Sequence, residues 1–390
     1  MAEYFTRLDI AVLFGYLILT TVIGHYMGGK QATIKDFFAG GKSLPWWAVC
    51  GSIIATEISG VTFIGVPGGV MAANGNFTYM LWGIGSIMGR VIVGIVFVKV
   101  FYEDEIYSPY DYMGRRIKPQ LKTLATVFFT IGSILGQSVR VLVAALPLMV
   151  VTGWKFESCI LVIGIFAIGW TLMGGMRTVI WTDVMQFCLF TVGGLFALFW
   201  VVNSLDGGWA QFWAQAESAG KTKTWNSEFG WGPAFNFTFW VAIVAVPFQN
   251  LTAFGVDQLN AQRMFCCKNA SDAKKAIIFS SFGQVLTYLM LLVGAALFVF
   301  YLNNPQGGEL AEALNFQKDG RPASLAEGGV PKKGDMVFPI WIVAELPPGL
   351  SGLILAGVFA AAISSLDSIL AALSQTTISL IHHPENGNVK

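Results

Sequence analysis

Apolar stretches long enough to cross a bilayer recur along almost the whole chain, and few folds are open to such a chain. Backbone groups in hydrocarbon have no water to bond, so spanning segments must be helices or closed barrels. About 20 mostly apolar residues suffice for a spanning helix. Segments near 8–28, 45–73, 77–102, 121–151, 156–175, 178–204, 236–257, 275–302 and 349–377 approach or exceed that length. Of the 390 residues, 55% are hydrophobic and 12% charged, about half the charged share of a soluble protein. The sequence therefore predicts an all-α polytopic membrane protein with about nine spans in contact with lipid. A formal charge of +1 gives no reason to expect a nucleic-acid partner. Cys50, Cys159, Cys188, Cys266 and Cys267 show neither a disulfide framework nor metal-site spacing, and the last two are read as part of a basic loop. The first run is too long for a signal-peptide core and lacks a clear cleavage site, so it reads as a retained span.

Charge between the runs sets the orientation. On one side lie Lys30, Lys35 and Lys42, then Arg115, Arg116, Lys118 and Lys122, then Arg177, then Arg263, Lys268, Lys274 and Lys275. The opposite short loops hold little beyond Arg7 and Lys155. Basic short loops stay in the cytoplasm, which places the chain in a cytoplasmic (inner) membrane with its N-terminus outside. Two longer loops, 205–235 and 303–348, fall on the outer side. The polar, Gly/Pro-rich part at 303–334 reads as an external loop with at most one short surface helix.

Two runs are interrupted. WAVCGSIIATEISGVTFIGVPGGV has Ser59–Gly60 in mid-membrane, and VAIVAVPFQNLTAFGVDQ is broken by Pro247 and followed by Gln249, Asn250 and Thr252. Each opens a block of spans counted from residue 45. Paired broken helices at matching positions point to a transporter binding site, because unwound carbonyls and half-helix ends bind ions and substrate. The domain reading is one transmembrane transporter domain over 1–390. It comprises a leading helix at 8–28, a five-helix repeat at 45–204 and an incomplete second repeat at 236–377. A third feature is FAAAISSLDSILAALS at 359–374, where Ala361, Ser364, Ser365, Ser368 and Ala372 share one small, oxygen-bearing face with Asp367 to its side. By itself that face reads as a packing seam between helices.

The chain resembles the sodium:solute symporter family, which includes sodium–glucose, proline, iodide and sialic acid cotransporters. The resemblance rests on LPPGLSGLILAGVFAAAISSLDS at 346–368 and DQLNAQRMFCCKNASDAKKA at 257–276. DFFAGGKSLPWWAVCGSIIATEISGVTFIG at 36–65 and IYSPYDYMGRRI at 106–117 support it. It implies a LeuT-like inverted-repeat fold of five plus five core helices. Core helices nine and ten have no counterpart in the chain, which on this reading is a truncated product. The resemblance implies sodium-coupled symport of a small solute by alternating access. In the family the serine-bearing eighth core helix faces the break in the first, and the two hold a sodium ion. The matching ligands are the hydroxyls of Ser364 and Ser365 with the carbonyls of Ala361, Ala55 and Ile58. Some members bind a second sodium, whose ligands match Asp183, in VIWTDVMQF, and Ser368. The competing reading of Asp183 is a wetted carboxylate near the cytoplasmic end, paired with Arg177.

The solute pocket is expected between the first and sixth core helices. Thr56, Glu57, Ser59 and Thr62 are candidates, with Gln137, Arg140, Gln249, Asn250 and Gln284. Asn250 matches the sugar-contacting asparagine of galactose-type members. Ala253 replaces their gate tyrosine, with Phe254 beside it, and Gln284 replaces their sugar-contacting lysine. Arg140 suits a substrate carboxylate, since its planar fork matches that group; an internal Glu57–Arg140 pair is the alternative. Arg90 reads as structural. The favoured solute is small and polar or anionic, of carboxylate or sugar type. A transport-inactive sensor or scaffold is the rival outside the transporter class. An enzyme is not expected: His25, His382 and His383 are peripheral, and neither a nucleophile–base pair nor a phosphate loop stands out.

Overall fold

The computed structural model describes residues 5–29, 33–72, 74–104, 106, 108–305 and 334–381. Lys30, His382, His383 and residues 306–333 of the external loop expected at 303–334 lie outside them. Among the described residues the only β pairing is a single bridge between Leu44 and Cys267. The fold is otherwise helical, and the sequence spans are found with adjusted edges. Helix α1 runs Arg7–Gly28 and opens with a capping box in which Thr6 and Asp9 satisfy each other's amides. After a short α2 (Ile34–Ala39), the first interrupted span splits into α3 (Trp46–Glu57) and α4 (Gly60–Met71). The two halves are bent by 52°. The next span, Phe77–Glu103, contains α5 (Leu81–Ile92) and α6 (Val98–Glu103). A short α7 (Pro109–Arg116) leads into α8 (Pro119–Thr152), which ends at Gly153 in the left-handed region.

Helix α9 covers Phe156–Asn203, 48 residues. At 1.5 Å per residue that is about 72 Å, more than twice the hydrocarbon thickness of about 30 Å. Gly174 and Gly175 leave the helical region, Gly175 with φ 54°. A β-carbon on Gly175 would lie 2.2 Å from the carbonyl oxygen of Phe37. Glycine therefore permits both the dihedral and the close approach, and divides the run into the two spans that the sequence predicts at 156–175 and 178–204.

The second half contains α10 (Gly208–Ser218), α11 (Phe239–Leu251), α12 (Gln258–Phe265), α13 (Ala270–Phe279) and α14 (Gly283–Asn303). It closes with α15 (Gly334–Glu345) and α16 (Leu350–Ile381). Three sequence expectations need correction here. The second interruption is not at Pro247, which sits inside α11. Membrane helices tolerate an internal proline, and the chain unwinds later, through a π-helical turn at Thr252–Val256 and an extended Asp257 that caps α12. The segment 303–348 is not loop throughout. Helix α15 packs on α4 and α8, with Val337, Phe338, Ile340, Trp341 and Ile342 fully buried. At 12 residues, about 18 Å long, it is too short to cross the bilayer. Third, Arg263, Cys266 and Cys267 are buried rather than part of an exposed basic loop.

Helix α16 sits at the centre, against α9, α1 and α8. A β-carbon on Gly352 would lie 2.5 Å from the α-carbon of Asp9, so α1 and α16 are nearly in backbone contact. Asp9 uses that closeness. Its Oδ1 accepts from the amides of Gly349 (2.7 Å) and Gly352 (2.9 Å) and from the Ser351 hydroxyl (2.6 Å). A carboxylate from the leading helix thus satisfies donors that a helix start leaves orphaned and sets the height of the serine-bearing helix.

Candidate ion and solute site

At the bend between α3 and α4, the Ser59 amide donates to the Glu57 carbonyl and the Thr62 amide to the Ser59 carbonyl. In an unbroken helix those amides would bond the carbonyls of Ala55 and Ile58. Both carbonyls are therefore released from the helical ladder. Helix α16 packs against both α3 and α4 and carries Ser364 and Ser365, both buried. The Ser364 hydroxyl donates to Asp183 Oδ1, which leaves its lone pairs available. The Ser365 hydroxyl is buried with no hydrogen-bond partner among the described residues. Released carbonyls and an unpartnered buried hydroxyl fit a site for a hard monovalent cation. Ala361 lies on α16 one turn before these serines.

Asp183 is fully buried, and Arg177 is not its partner. Its Oδ2 accepts from the Ser52 hydroxyl at 2.5 Å and from Arg263 Nη2 at 3.1 Å. The same Arg263 nitrogen donates to the Ser368 hydroxyl at 2.5 Å. Arg263 Nε donates to Ser52 at 2.8 Å and Nη1 to the Leu259 carbonyl at 2.7 Å. Asp367 belongs to the same cluster: its Oδ1 accepts from Ser368 at 3.1 Å, and its Oδ2 is buried without a partner among the described residues.

Beside the first break lies a cavity of about 320 Å³, bordered by Thr56, Glu57, Ile58, Thr62, Arg140, Gln249, Asn250 and Gln284. Seven of the nine expected solute residues thus meet there. Ser59 and Gln137 do not border it; both are buried, and Gln137 Oε1 is unpartnered among the described residues. Tyr79, Trp82, Ser86, Asn260 and Thr287 also line the cavity and were missed in the sequence. Trp82, Ser86 and Arg90 recur every four residues on α5, a stripe at helical spacing that could have been found. A second cavity of about 370 Å³ shares Thr62 and Tyr79 with the first and follows α4 past Gly69.

The charges in the cavity are sorted by pairing. Glu57 is bound to Arg90, not Arg140, and also accepts from Gln284 Nε2 at 3.1 Å. Arg90 is completely buried, donates to Ser280 at 3.0 Å and lies over the Phe254 ring at 4.4 Å. The alternative Glu57–Arg140 pair is therefore absent, and Arg90 has the structural role expected of it. Arg140 makes a 3.4 Å contact with the Thr56 carbonyl, and no acid stands within ion-pair distance of it among the described residues.

The model of the sodium:solute symporter family matches residues 37–381. The chain belongs to that family. The sodium/sialic acid symporter SiaT of Proteus mirabilis is 29% identical over 377 residues, covering 95% of this chain and 70% of the relative. The sodium-coupled monocarboxylate transporter 1 of Homo sapiens is 28% identical, over 95% of this chain and 58% of the relative. A solved substrate-bound, outward-open sodium-coupled sialic acid symporter superposes with a TM-score of 0.83 at 27% identity, covering 99% of this chain and 76% of that one. The fold is thus the LeuT-like transporter fold. As a sodium:solute symporter the protein is a multi-pass membrane transporter, not an enzyme, that couples entry of a small organic solute to sodium.

Proposed function

We propose that the solute is a small organic acid whose carboxylate is gripped by Arg140. The observation that carries this reading is the division of charge in the cavity: Glu57 is committed to Arg90 and Gln284, while Arg140 makes no ion pair among the described residues and has Asp257 as a charge beyond ion-pair distance. An intramembrane guanidinium costs roughly 3 kcal/mol or more unless compensated, and an anionic solute supplies the compensation together with a planar match. Sialic acid and monocarboxylates, named as the solutes of two relatives, are both acids. A neutral hexose is less well served. Asn250 has Oδ1 engaged by Ser86 at 2.9 Å and Nδ2 by the Val246 carbonyl at 3.0 Å, so little of its amide remains for a sugar. Thr56, Thr62, Gln249 and Gln284 are the polar walls for the rest of the molecule.

In this reading one sodium is held by the hydroxyls of Ser364 and Ser365 and the carbonyls of Ala361, Ala55 and Ile58. A second uses Asp183 and Ser368. Neutral oxygens hold the first ion firmly enough to couple and weakly enough to release. The protein sits in the cytoplasmic membrane with its N-terminus outside, as the basic loops suggest.

Substituting Arg140→Lys tests the grip. The charge stays, but the two-pronged geometry is lost, at about 1.5–3 kcal/mol for a charge-assisted contact, or roughly 10- to 150-fold. Binding of an acid is expected to weaken by that factor, and binding of its amide much less. An equal loss for both ligands would remove Arg140 from carboxylate recognition.

A further inference from the structure

Arg263 reaches both oxygens proposed to hold a second sodium. The one nitrogen Nη2 is 3.1 Å from Asp183 Oδ2 and 2.5 Å from Ser368 Oγ. An ion held by those two oxygens would compete with that nitrogen for their lone pairs. We propose that Arg263 is a tethered cation of this site, holding Asp183 and Ser368 while sodium is away and driven off them when sodium arrives. The inference rests on the reading that Asp183 and Ser368 bind a second sodium.

A fixed structural ion pair would not explain the rest of the cluster. Arg263 pairs with Asp183, and a second buried carboxyl, Asp367, lies in the same cluster with no ion pair of its own among the described residues. Asp367 Oδ2 has no hydrogen-bond partner among the described residues, although Ser368 joins Asp367 to the same network. Asp367 thus offers the pocket a carboxyl oxygen that no side chain among the described residues uses, a place for a further ligand contact to an arriving cation.

The tether has a mechanical consequence. Arg263 belongs to α12, and its Nη1 donates to Leu259 one turn earlier on the same helix. That bond travels with α12, whereas the bonds to Ser52, Asp183 and Ser368 anchor α12 to α3, α9 and α16. Leu259 and Asn260 of α12 line the solute cavity. Displacing the guanidinium removes these three ties and loosens the helix that forms one wall of that cavity, while Gln258 stays bonded to Gln375 and Gln262 to the Phe38 carbonyl. Sodium binding and the shape of the solute site are thus linked through one side chain.

The native thiols at the end of α12 report the release. Cys266 and Cys267 are fully buried. Maleimide labelling of these two cysteines is followed by mass spectrometry of the full chain in nanodiscs, with sodium chloride titrated against choline chloride at constant ionic strength. Sodium is expected to raise the labelling rate by about fivefold or more, the lower end of ordinary coupling between sites. In Asp183→Asn the response should vanish. Arg263→Gln should label fast without sodium and bind the second sodium more tightly. If that variant does not fold, the wild-type and Asp183→Asn titrations decide alone. Labelling indifferent to sodium, or a sodium response that survives in Asp183→Asn, overturns the tether. The sodium-to-solute ratio in wild-type proteoliposomes separates the two levels. A ratio of one removes the second site itself, whereas a ratio of two with indifferent labelling leaves the site and removes the tether.

Discussion

Replacing Glu57 with glutamine changes one charge and almost no volume, and the structure sets two consequences of opposite sign. Arg90 is fully buried, and Glu57 is its one acidic partner among the described residues, with 26% of the Glu57 side chain exposed. Breaking a buried pair from one side costs about 3–5 kcal/mol. Here the loss is smaller, because Arg90 keeps Ser280 and the face of Phe254 and glutamine can still accept a hydrogen bond. A destabilisation of about 2 kcal/mol is expected. The second consequence favours binding. With Glu57 neutral, Arg90 adds an uncompensated charge beside the cavity that holds Arg140. For an assumed separation of about 8 Å and an effective dielectric near 20, that charge attracts a carboxylate by at most about 2 kcal/mol. Water in the cavity reduces the gain to a few-fold in affinity. Thermal unfolding in detergent, read by tryptophan fluorescence, measures the first effect, and acid binding at saturating sodium measures the second. A protein less stable yet tighter for the acid is the expected result. Unchanged stability, or weaker acid binding, would refute the assignment of Glu57 as the neutralising partner of Arg90.

The two serines should separate by their partners. Ser365→Ala removes a hydroxyl with no protein partner among the described residues, so sodium half-saturation should rise at least about tenfold while stability moves by no more than about 0.5 kcal/mol. Ser364→Ala should weaken sodium binding and also lower stability by about 1–3 kcal/mol, since Asp183 loses a donor; sodium titrations and melting curves distinguish the pair. Asp9→Ala strips the acceptor from a buried amide (Gly352), a half-buried one (Gly349) and the Ser351 hydroxyl at the start of α16. It should cost about 2 kcal/mol of stability, measured by the same melts, with acid affinity at saturating sodium unchanged.

Local pattern made much of this fold legible in the sequence. The span lengths, the Ser59 break and the serine face of α16 are written in consecutive residues, and the structure has all three. Long-range pairing was not legible. Glu57 has both Arg90 and Arg140 as intramembrane candidates, and only the tertiary fold, which brings the Arg90 side chain to Glu57, selects Arg90. Arg263 counts in the sequence as one more basic loop residue, because nothing near it announces that Asp183, 80 positions earlier, will meet it in the core. Helix α15 escaped because a search for spanning lengths passes over 12 apolar residues, and Pro247 misled because proline marks a helix end more reliably in water than in lipid.

Accumulation of an organic acid by proteoliposomes, with sodium as the sole gradient and the voltage clamped at zero, tests the central claim most directly. Sialic acid and pyruvate serve as acids, and their amides as controls. Each coupled sodium in a tenfold inward gradient supplies about 1.4 kcal/mol. Accumulation of a transported acid should therefore reach about tenfold with one ion, or about a hundredfold with two, and should collapse when the gradient is dissipated. Accumulation that persists with potassium in place of sodium, or that is as large for the amides as for the acids, would contradict a sodium-driven carrier that holds its solute by a carboxylate on Arg140.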